Sequence, residues 1–363
     1  LAQALSLVGG VATKNNNLPI LGNVLIKVDS QKSEVISTNL EVAITVNVRS
    51  KIEQEGTFTV PARTLLDYIN LLPDDKIDFE LKENELLVKC GKTSTKIKGT
   101  PADEYPVIPP ADGGKGYLIK VDDLKKALPQ IVPSAAKSDI RPELSGVLFD
   151  FKNNALILAA TDSYRLAEKK IPTLQGSEEC RVIVPGRTAT EIGHILSTID
   201  NIEDGEKNVR ILIGESQVVV NYGNVQMVSR LVDGQYPDYT QIIPKEFKTT
   251  AEFSSNQMVK EIKAASLFTT TGVNAISVDL NTSQGSIGIS STSTQTGEYN
   301  SEISAEIKGD ENSILLNHRY VLDGLNSMGS ETTVLKAVNG DSPCVLMPKG
   351  DESYLYIVMP IRK

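Results

Sequence analysis

Histidine occurs only twice in 363 residues, at His194 and His318, and cysteine three times, at Cys90, Cys180 and Cys344. Two isolated histidines, each beside a helical pattern, leave His-based metal or acid–base chemistry almost no material, and both are expected on helix surfaces. The cysteines are odd in number, far apart and never paired as Cys-x-x-Cys, which argues against a disulfide framework and against a zinc site. All three fall in strand-like runs and are expected as buried apolar residues. No apolar run approaches the ~20 residues needed to cross a bilayer. Leu1 to Val11 is largely apolar, but it has no basic leader and is interrupted by Gly9 and Gly10, so a signal peptide is not expected and a cytoplasmic location is. Neither a G-x-S-x-G elbow nor a phosphate loop occurs.

What the chain does have is one block that recurs three times in order. It reads V-P-A-R-T-L-L-D at Val60 to Asp67, V-P-G-R-T-A-T-E at Val184 to Glu191 and L-N-H-R-Y-V-L-D at Leu316 to Asp323. Each copy carries an Arg (Arg63, Arg187, Arg319) and, four residues later, an acid (Asp67, Glu191, Asp323). Three diverged copies of one domain are the simplest account. A quasi-symmetric scaffold follows more naturally than a single catalytic pocket, which needs unlike groups converging once.

Each copy opens with a helical pattern whose apolar residues fall at i, i+4 and i+7: Leu1, Leu5, Val8; Leu124, Leu128, Ile131; Met258, Ile262, Ala265. A short strand precedes it in the second and third copies (Tyr117 to Val121, Thr250 to Phe253), with Asp122 and Ser254 or Ser255 as caps. The first copy starts directly on the helix, one strand short of the others, about 5–10 residues at usual strand lengths. Strand runs follow at Pro19 to Val28 and Val35 to Val48, at Leu144 to Phe151 and Ala155 to Ile171, and at Ala275 to Leu280 and Ser286 to Ile307. A second helix then opens at Pro61, Pro185 or Asn317, residues suited to N1 or N-cap positions. More strands close each copy, and the first two end in similar corners, Ala-Asp-Glu-Tyr-Pro (102–106) and Asp-Gly-Gln-Tyr-Pro (233–237). The class is α+β, with antiparallel sheets outside and helices gathered on one face. Linkers at 112–116 and 244–248 divide the chain into domains 1–113, 114–245 and 246–363, and are short enough for a stiff arc.

The net charge of −9 repels nucleic acid if spread evenly, so the placement of basic residues decides. The third position of each first helix, Gln3, Lys126 or Lys260, points away from the apolar stripe. Arg63, Arg187 and Arg319 share one place in the second helices, and Lys14, Lys125, Lys137 and Lys263 lie near the first. Such a face could hold phosphate backbones without reading bases. The competing reading is a plain intrahelical ion pair in each copy, Arg63–Asp67, Arg187–Glu191 and Arg319–Asp323, worth about 0.3–0.5 kcal/mol. Spacing does not choose between them.

Several segments together resemble the bacterial replicative sliding clamps, the beta subunits of DNA polymerase III. They are Asn17-Leu18-Pro19-Ile20-Leu21-Gly22-Asn23, Thr59-Val60-Pro61-Ala62-Arg63, Ala160-Thr161-Asp162-Ser163-Tyr164-Arg165-Leu166-Ala167, Leu231-Val232-Asp233-Gly234-Gln235-Tyr236-Pro237-Asp238-Tyr239 and Val358-Met359-Pro360-Ile361-Arg362. The likeness spans essentially the whole chain, and the combination is specific where each motif alone is weak. It implies three clamp domains per chain and a head-to-tail homodimer closing a ring. Helices would line the hole, and duplex DNA would be encircled without regard to sequence. The implied partners are DNA, a second copy, the replicative polymerase, the clamp loader and other proteins carrying a clamp-binding motif. No membrane, cofactor, metal or catalytic role is implied.

The resemblance places a hydrophobic peptide pocket at Leu144, Thr161, Ser163, Tyr164, Arg165, Leu166, Pro237, Ile242, Pro343, Ile357, Met359, Pro360, Ile361 and Arg362. Read without it, Asp162 and Arg165 form a turn-stabilising pair after a strand, and the C-terminal Met-Pro-Ile-Arg is an edge strand that ends the chain. The implied DNA contacts are Lys14, Arg63, Lys125, Lys126, Lys137, Ser138, Arg141, Arg187, Lys260, Lys263 and Arg319, and the implied subunit interface sets Thr95 and Ile97 against Leu267 and Phe268. The chain departs from common clamp patterns at Ser163-Tyr164, often Gly-His or Gly-Tyr, and at Gln241 and Asn15, where some members carry Arg. Pro142 and Glu143 replace aromatic residues that contact DNA in some clamps. Two other classes of function remain to be set aside: a hydrolase using Asp162, Arg165 and Asp233, which lacks a nucleophile and base, and a cell-surface repeat adhesin, which the repeated helices and absent signal disfavour.

Overall fold

The computed structural model describes residues 1–12, 17–108, 114–138, 140–199 and 207–362; Lys14, Asn15 and the start of the first expected linker lie outside them. The first repeat runs α1 (Ala2–Gly9), a 3-10 turn (Pro19–Gly22), β1 (Asn23–Val28), β2 (Ser33–Thr38), β3 (Val42–Val48), β4 (Gly56–Pro61), α2 (Ala62–Leu71), β5 (Ile77–Lys82), β6 (Glu85–Cys90) and β7 (Thr93–Lys98). The second runs β8 (Lys115–Lys120), α3 (Val121–Ile131), the single turn α4 (Pro142–Ser145), β9 (Gly146–Lys152), β10 (Ala155–Thr161), β11 (Arg165–Pro172), β12 (Cys180–Pro185), α5 (Gly186–Thr198), β13 (Asn208–Ile213), β14 (Gln217–Tyr222) and β15 (Val225–Arg230). The third runs β16 (Thr249–Ser254), α6 (Ser255–Ser266), β17 (Ala275–Asn281), β18 (Ser286–Ser293), β19 (Gly297–Gly309), β20 (Asn312–Asn317), α7 (His318–Met328), β21 (Thr332–Ala337), β22 (Cys344–Pro348) and β23 (Tyr354–Val358).

The apolar stripes explain the helices. Leu5 and Val8 of α1, Leu124, Leu128 and Ile131 of α3, and Met258, Ile262 and Ala265 of α6 are all buried, and only Leu1 stays at the surface. Ser254 caps α6 by accepting from the Gln257 amide, and Asn317 caps α7 by accepting from the Arg319 amide at 3.0 Å. Asp122 is not a cap, because α3 already begins at Val121 and places that carboxylate in its first turn.

Contacts gather the chain into two units. One comprises 1–125, 173–176 and 190–231. It holds an eight-stranded sheet, β4-β1-β2-β3-β15-β14-β13-β8, and a three-stranded sheet, β5-β6-β7. Helix α1 packs on α2 and over β2 and β3. The other comprises 126–172, 177–189 and 232–363 and holds a twelve-stranded sheet, β12-β9-β10-β11-β23-β22-β21-β16-β19-β18-β17-β20. Here α6 packs on α7 and over β18 and β19, and α7 also meets β22 and β23. Strands from neighbouring repeats pair directly: β3 with β15, Ile44 opposite Met227, and β11 with β23, Leu166 opposite Ile357. All four of these side chains are buried, which fixes the register, because a one-residue slip would turn each of them to the other face.

Several expectations need correction. The run from Pro19 begins as a 3-10 turn and only becomes a strand at Asn23, since proline has no amide to donate to a ladder. Leu144 likewise sits in α4, ahead of β9. The run Val35 to Val48 is split by a turn in which Leu40 takes a φ of 77°. His318 is not a surface residue: it is 8% exposed at the start of α7, and its Nδ1 has no hydrogen-bond partner. Cys90 and Cys344 are buried as expected, whereas Cys180, on the edge strand β12, is half-buried.

Candidate peptide-binding site

The β10–β11 turn, Thr161 to Arg165, is built by its own side chains. Thr161 Oγ1 donates to the Arg165 carbonyl at 2.6 Å and accepts from the Ser163 amide at 3.1 Å. Asp162 Oδ1 accepts from the amides of Tyr164 at 3.0 Å and Arg165 at 3.1 Å, an Asx turn. The turn forces Ser163 to a φ of 79°, left-handed territory where glycine costs least. The first repeat makes the same turn from different residues. Thr38 Oγ1 donates to Val42, Leu40 N donates to Thr38 Oγ1, and Asn39 Oδ1 accepts from Glu41 and Val42. The backbone framework therefore occurs twice, and the side chains make the difference.

At the second turn those side chains are largely apolar. Leu166 and Ile357 form a buried cluster with Leu148, Ala159, Ile183, Tyr236, Tyr239 and Val345, and Met359 packs against it half-buried. The segment that leads into the third repeat supplies Tyr236 and Tyr239, so Pro237 and the 3-10 turn carrying Ile242 (Tyr239–Ile242) are anchored there. Pro343 lies just before Cys344, which starts β22. The C-terminal residues are tied down rather than trailing: Met359 N donates to the Tyr164 carbonyl at 2.9 Å and Ile361 N to the Leu315 carbonyl at 2.8 Å. Pro360 between them has no amide to satisfy. Leu144 is buried, and its carbonyl accepts from Ala136 N at 2.8 Å. Tyr164, 62% exposed, and Ile242, 37% exposed, are the large apolar groups of the set open to solvent, with Ser163 and Arg362 also exposed.

One buried cation organises the rim. Arg165 is 5% exposed; its Nε donates to Asp162 Oδ2 at 3.0 Å and its Nη1 to Asp323 Oδ2. Its guanidinium carbon lies 4.8 Å from the centre of the Tyr320 ring, and that ring stacks on Tyr164 with centroids 6.2 Å apart and planes 15° apart. Burial alone would lower the Arg165 pKa, but the Tyr356 oxygen, Asp323 and Asp162 outweigh it and push the pKa above the ordinary value. A hydrolase reading of Asp162 loses its carboxylate to the turn and to Arg165. Arg141, expected among DNA contacts, donates to Ser163 Oγ at 3.1 Å and to Glu143 Oε1 at 3.3 Å, which joins it to the rim of this turn.

The repeated Arg and acid do not behave as one motif. Arg63 pairs with Asp67 at 3.6 Å on an exposed helix face, as the ion-pair reading expects. Glu191 instead meets His194 at 3.1 Å, and Asp323 meets Arg165. Arg187 and Arg319 therefore have no carboxylate partner among the described residues. Both are exposed, as are Arg63, Lys126, Lys137, Ser138, Arg141, Lys260 and Lys263; Lys125 is half-buried. Leu267 is 70% exposed, while Phe268 stacks on Tyr299 with centroids 6.0 Å apart. Thr95 is half-buried and Ile97 buried on β7, an end strand of its sheet. The resemblance does not place Tyr320 or Asp323 in the site. Tyr320 follows Arg319 directly in the repeated block, which is its one signal in the sequence, whereas Asp323 has a local partner available four residues back.

Antiparallel sheets and helix pairs built from three copies of one α+β module make this a clamp-domain protein. The chain belongs to the DNA polymerase III beta subunit family: it matches the N-terminal domain over residues 1–109, the central domain over 118–238 and the C-terminal domain over 240–362. A beta sliding clamp of Staphylococcus aureus is 30% identical over 357 residues, 95% of this chain and 92% of its own length. The DNA polymerase III subunit beta of Pseudomonas aeruginosa superposes with a TM-score of 0.92 at 27% identity, covering 100% of this chain and 97% of that one. A sliding clamp of the same organism solved with griselimycin gives 0.93 at 28% identity, with the same coverage. The beta subunit of Thermotoga maritima gives 0.92 at 26%, again over 100% and 97%.

Proposed function

We propose that the protein is a homodimeric ring that encircles duplex DNA and tethers the replicative polymerase and other DNA-processing proteins through the pocket around Arg165. It is a non-catalytic processivity subunit with domains 1–113, 114–245 and 246–363. The observation that carries the reading is the tied C-terminal segment: Met359 and Ile361 are fixed by backbone hydrogen bonds beside a buried apolar cluster, while Tyr164 and Ile242 stay open. A short apolar peptide is recognised by apolar surface with a preformed floor and a few polar groups at its edge.

Exposed Arg187 and Arg319, with Arg63, Lys126, Lys260 and Lys263, supply a sequence-independent hold on phosphates, and Lys14, Lys125, Lys137, Ser138 and Arg141 extend the set. Sliding needs many weak, exchangeable contacts, so the loss of any one basic residue should cost little. The second copy joins through the end strand β7, near Thr95 and Ile97, against exposed Leu267 and the stacked Phe268. The clamp loader is the partner that opens this joint. No helix among the described residues is long and apolar enough to cross a membrane, and the proposed site of action is the cytoplasm.

A mass measurement in solution tests the assembly: the reading expects twice the 39.3 kDa chain mass, and a monomer at all concentrations overturns it. Titration with a fluorescein-labelled peptide carrying the clamp-binding motif of the replicative polymerase tests the pocket. Saturable binding supports the site, and its absence removes it.

A further inference from the structure

We infer that Asp323 is a positioning residue of this pocket, holding the Arg165–Tyr320–Tyr164 stack in the geometry that a partner peptide meets. The inference rests on the pocket reading and deepens it. Asp323 lies on α7, 158 positions from Arg165 along the chain, and its Oδ2 accepts from Arg165 Nη1. That leaves the guanidinium held from two sides, by Asp162 on its own turn and by Asp323 on a helix of the next repeat. The flat cation in turn lies over Tyr320, and Tyr320 carries Tyr164, the most exposed aromatic side chain at the site. The contact recorded for the Asp323 carboxylate is with the guanidinium of Arg165. Asp323 acts on the exposed ring through Arg165.

The repeat supplies an internal control. Asp67 and Glu191 hold the equivalent place in α2 and α5, and both find partners in their own helix, Arg63 at 3.6 Å and His194 at 3.1 Å. Only the third acid leaves its helix. The equivalent turn of the first repeat has Val42 where Arg165 stands, so it has no guanidinium to position, although its backbone and its left-handed residue, Leu40 at φ 77°, are the same. Acid and arginine come together at the one turn that also has the aromatic pair. The helix that carries Asp323 is held close to β23 by the next residue, Gly324, where an added Cβ would lie 2.4 Å from the Tyr356 ring.

The test uses the full chain with Asp323→Ala, Asp323→Asn and Asp323→Glu, the same fluorescein-labelled polymerase peptide, and fluorine-labelled tyrosine to report the Tyr164 ring. Wild type and Met359→Asp serve as controls. The expected result is a peptide Kd weakened about tenfold in Asp323→Ala, the effect of losing a partly buried charge partner, and restored to within about threefold in Asp323→Glu. The Tyr164 resonance should move in Asp323→Ala before any peptide is added. Unchanged affinity in Asp323→Ala, with binding lost in Met359→Asp, overturns the positioning role while leaving the pocket in place. Equal weakening in all three variants, with no restoration by Glu and a lowered melting temperature, also overturns it, because it marks Asp323 as structural only. No binding by wild type overturns the pocket and this inference together.

Discussion

Gly324 faces the ring of Tyr356 across the contact between α7 and β23, and a Cβ at that glycine would sit 2.4 Å from the ring edge. The Tyr356 hydroxyl donates to the Tyr320 carbonyl at 2.8 Å, so the same tyrosine that demands glycine also fastens the first turn of α7. One close approach thus sets how α7 lies against β23 and holds the turn that carries Tyr320. Gly324→Ala gains about 1 kcal/mol in helix propensity but overpacks a buried contact at a cost of about 1–3 kcal/mol. Chemical denaturation should find the variant less stable on balance, with weaker peptide binding because α7 is pushed away from Arg165. Equal or higher stability would contradict the close packing.

The two apolar residues Met359 and Leu166 of the proposed pocket differ in what a charge would do. Met359 is half-buried at the edge of the cluster, whereas Leu166 is 0% exposed within it. Met359→Asp should abolish peptide binding with little loss of stability and with dimerisation intact. Leu166→Glu should also abolish binding, but it buries an unpaired carboxylate and should cost several kcal/mol in a melt, more than about 3. Peptide affinity unchanged in Met359→Asp would mean that the pocket is misplaced.

His318 makes stability depend on pH. Burial first, and then the charge of Arg319, hold its pKa below the ordinary value. Below about pH 6.5 the unfolded chain binds a proton that the native imidazole resists, so native stability falls as pH drops through that point toward the lower folded pKa. Denaturation at pH 7.5 and 5.5 should show that fall, and His318→Asn should reduce it. An equal fall in wild type and variant would assign the effect elsewhere.

Thiol labelling separates the cysteines. Burial pushes the Cys344 thiol up to about 12, so at neutral pH it is neither reachable nor ionised. Half-buried Cys180 should react with a thiol reagent in the native state, and Cys90 and Cys344 only after unfolding. Fast native labelling of the Cys180→Ser variant would contradict this burial.

Periodic and local features were legible in the sequence. The stripe Leu124, Leu128, Ile131 predicts the buried face of α3, and Asn317 predicts its own cap, because both depend on neighbours within a turn. Two features depended on partners far away. Asp323 sits four residues after Arg319, and the local rule joins them for about 0.3–0.5 kcal/mol, yet the partner it takes is a buried guanidinium from another repeat. The burial of His318 is set by tertiary packing, which a polar residue at a helix start does not announce. Pro19 and Pro142 each precede a strand and turn first, a local signal that the apolar runs beside them obscured. Within the candidate site, Asp162 and Arg165 read correctly as a turn-stabilising pair after a strand, while Tyr320 and Asp323 entered only with the fold.

Encirclement is tested most directly by retention of the dimer on DNA. After loading, the protein should remain on a closed circle through gel filtration and run off a linear molecule of the same length and sequence within the same time. Equal retention on both would contradict a ring held by topology and would point to ordinary adhesion.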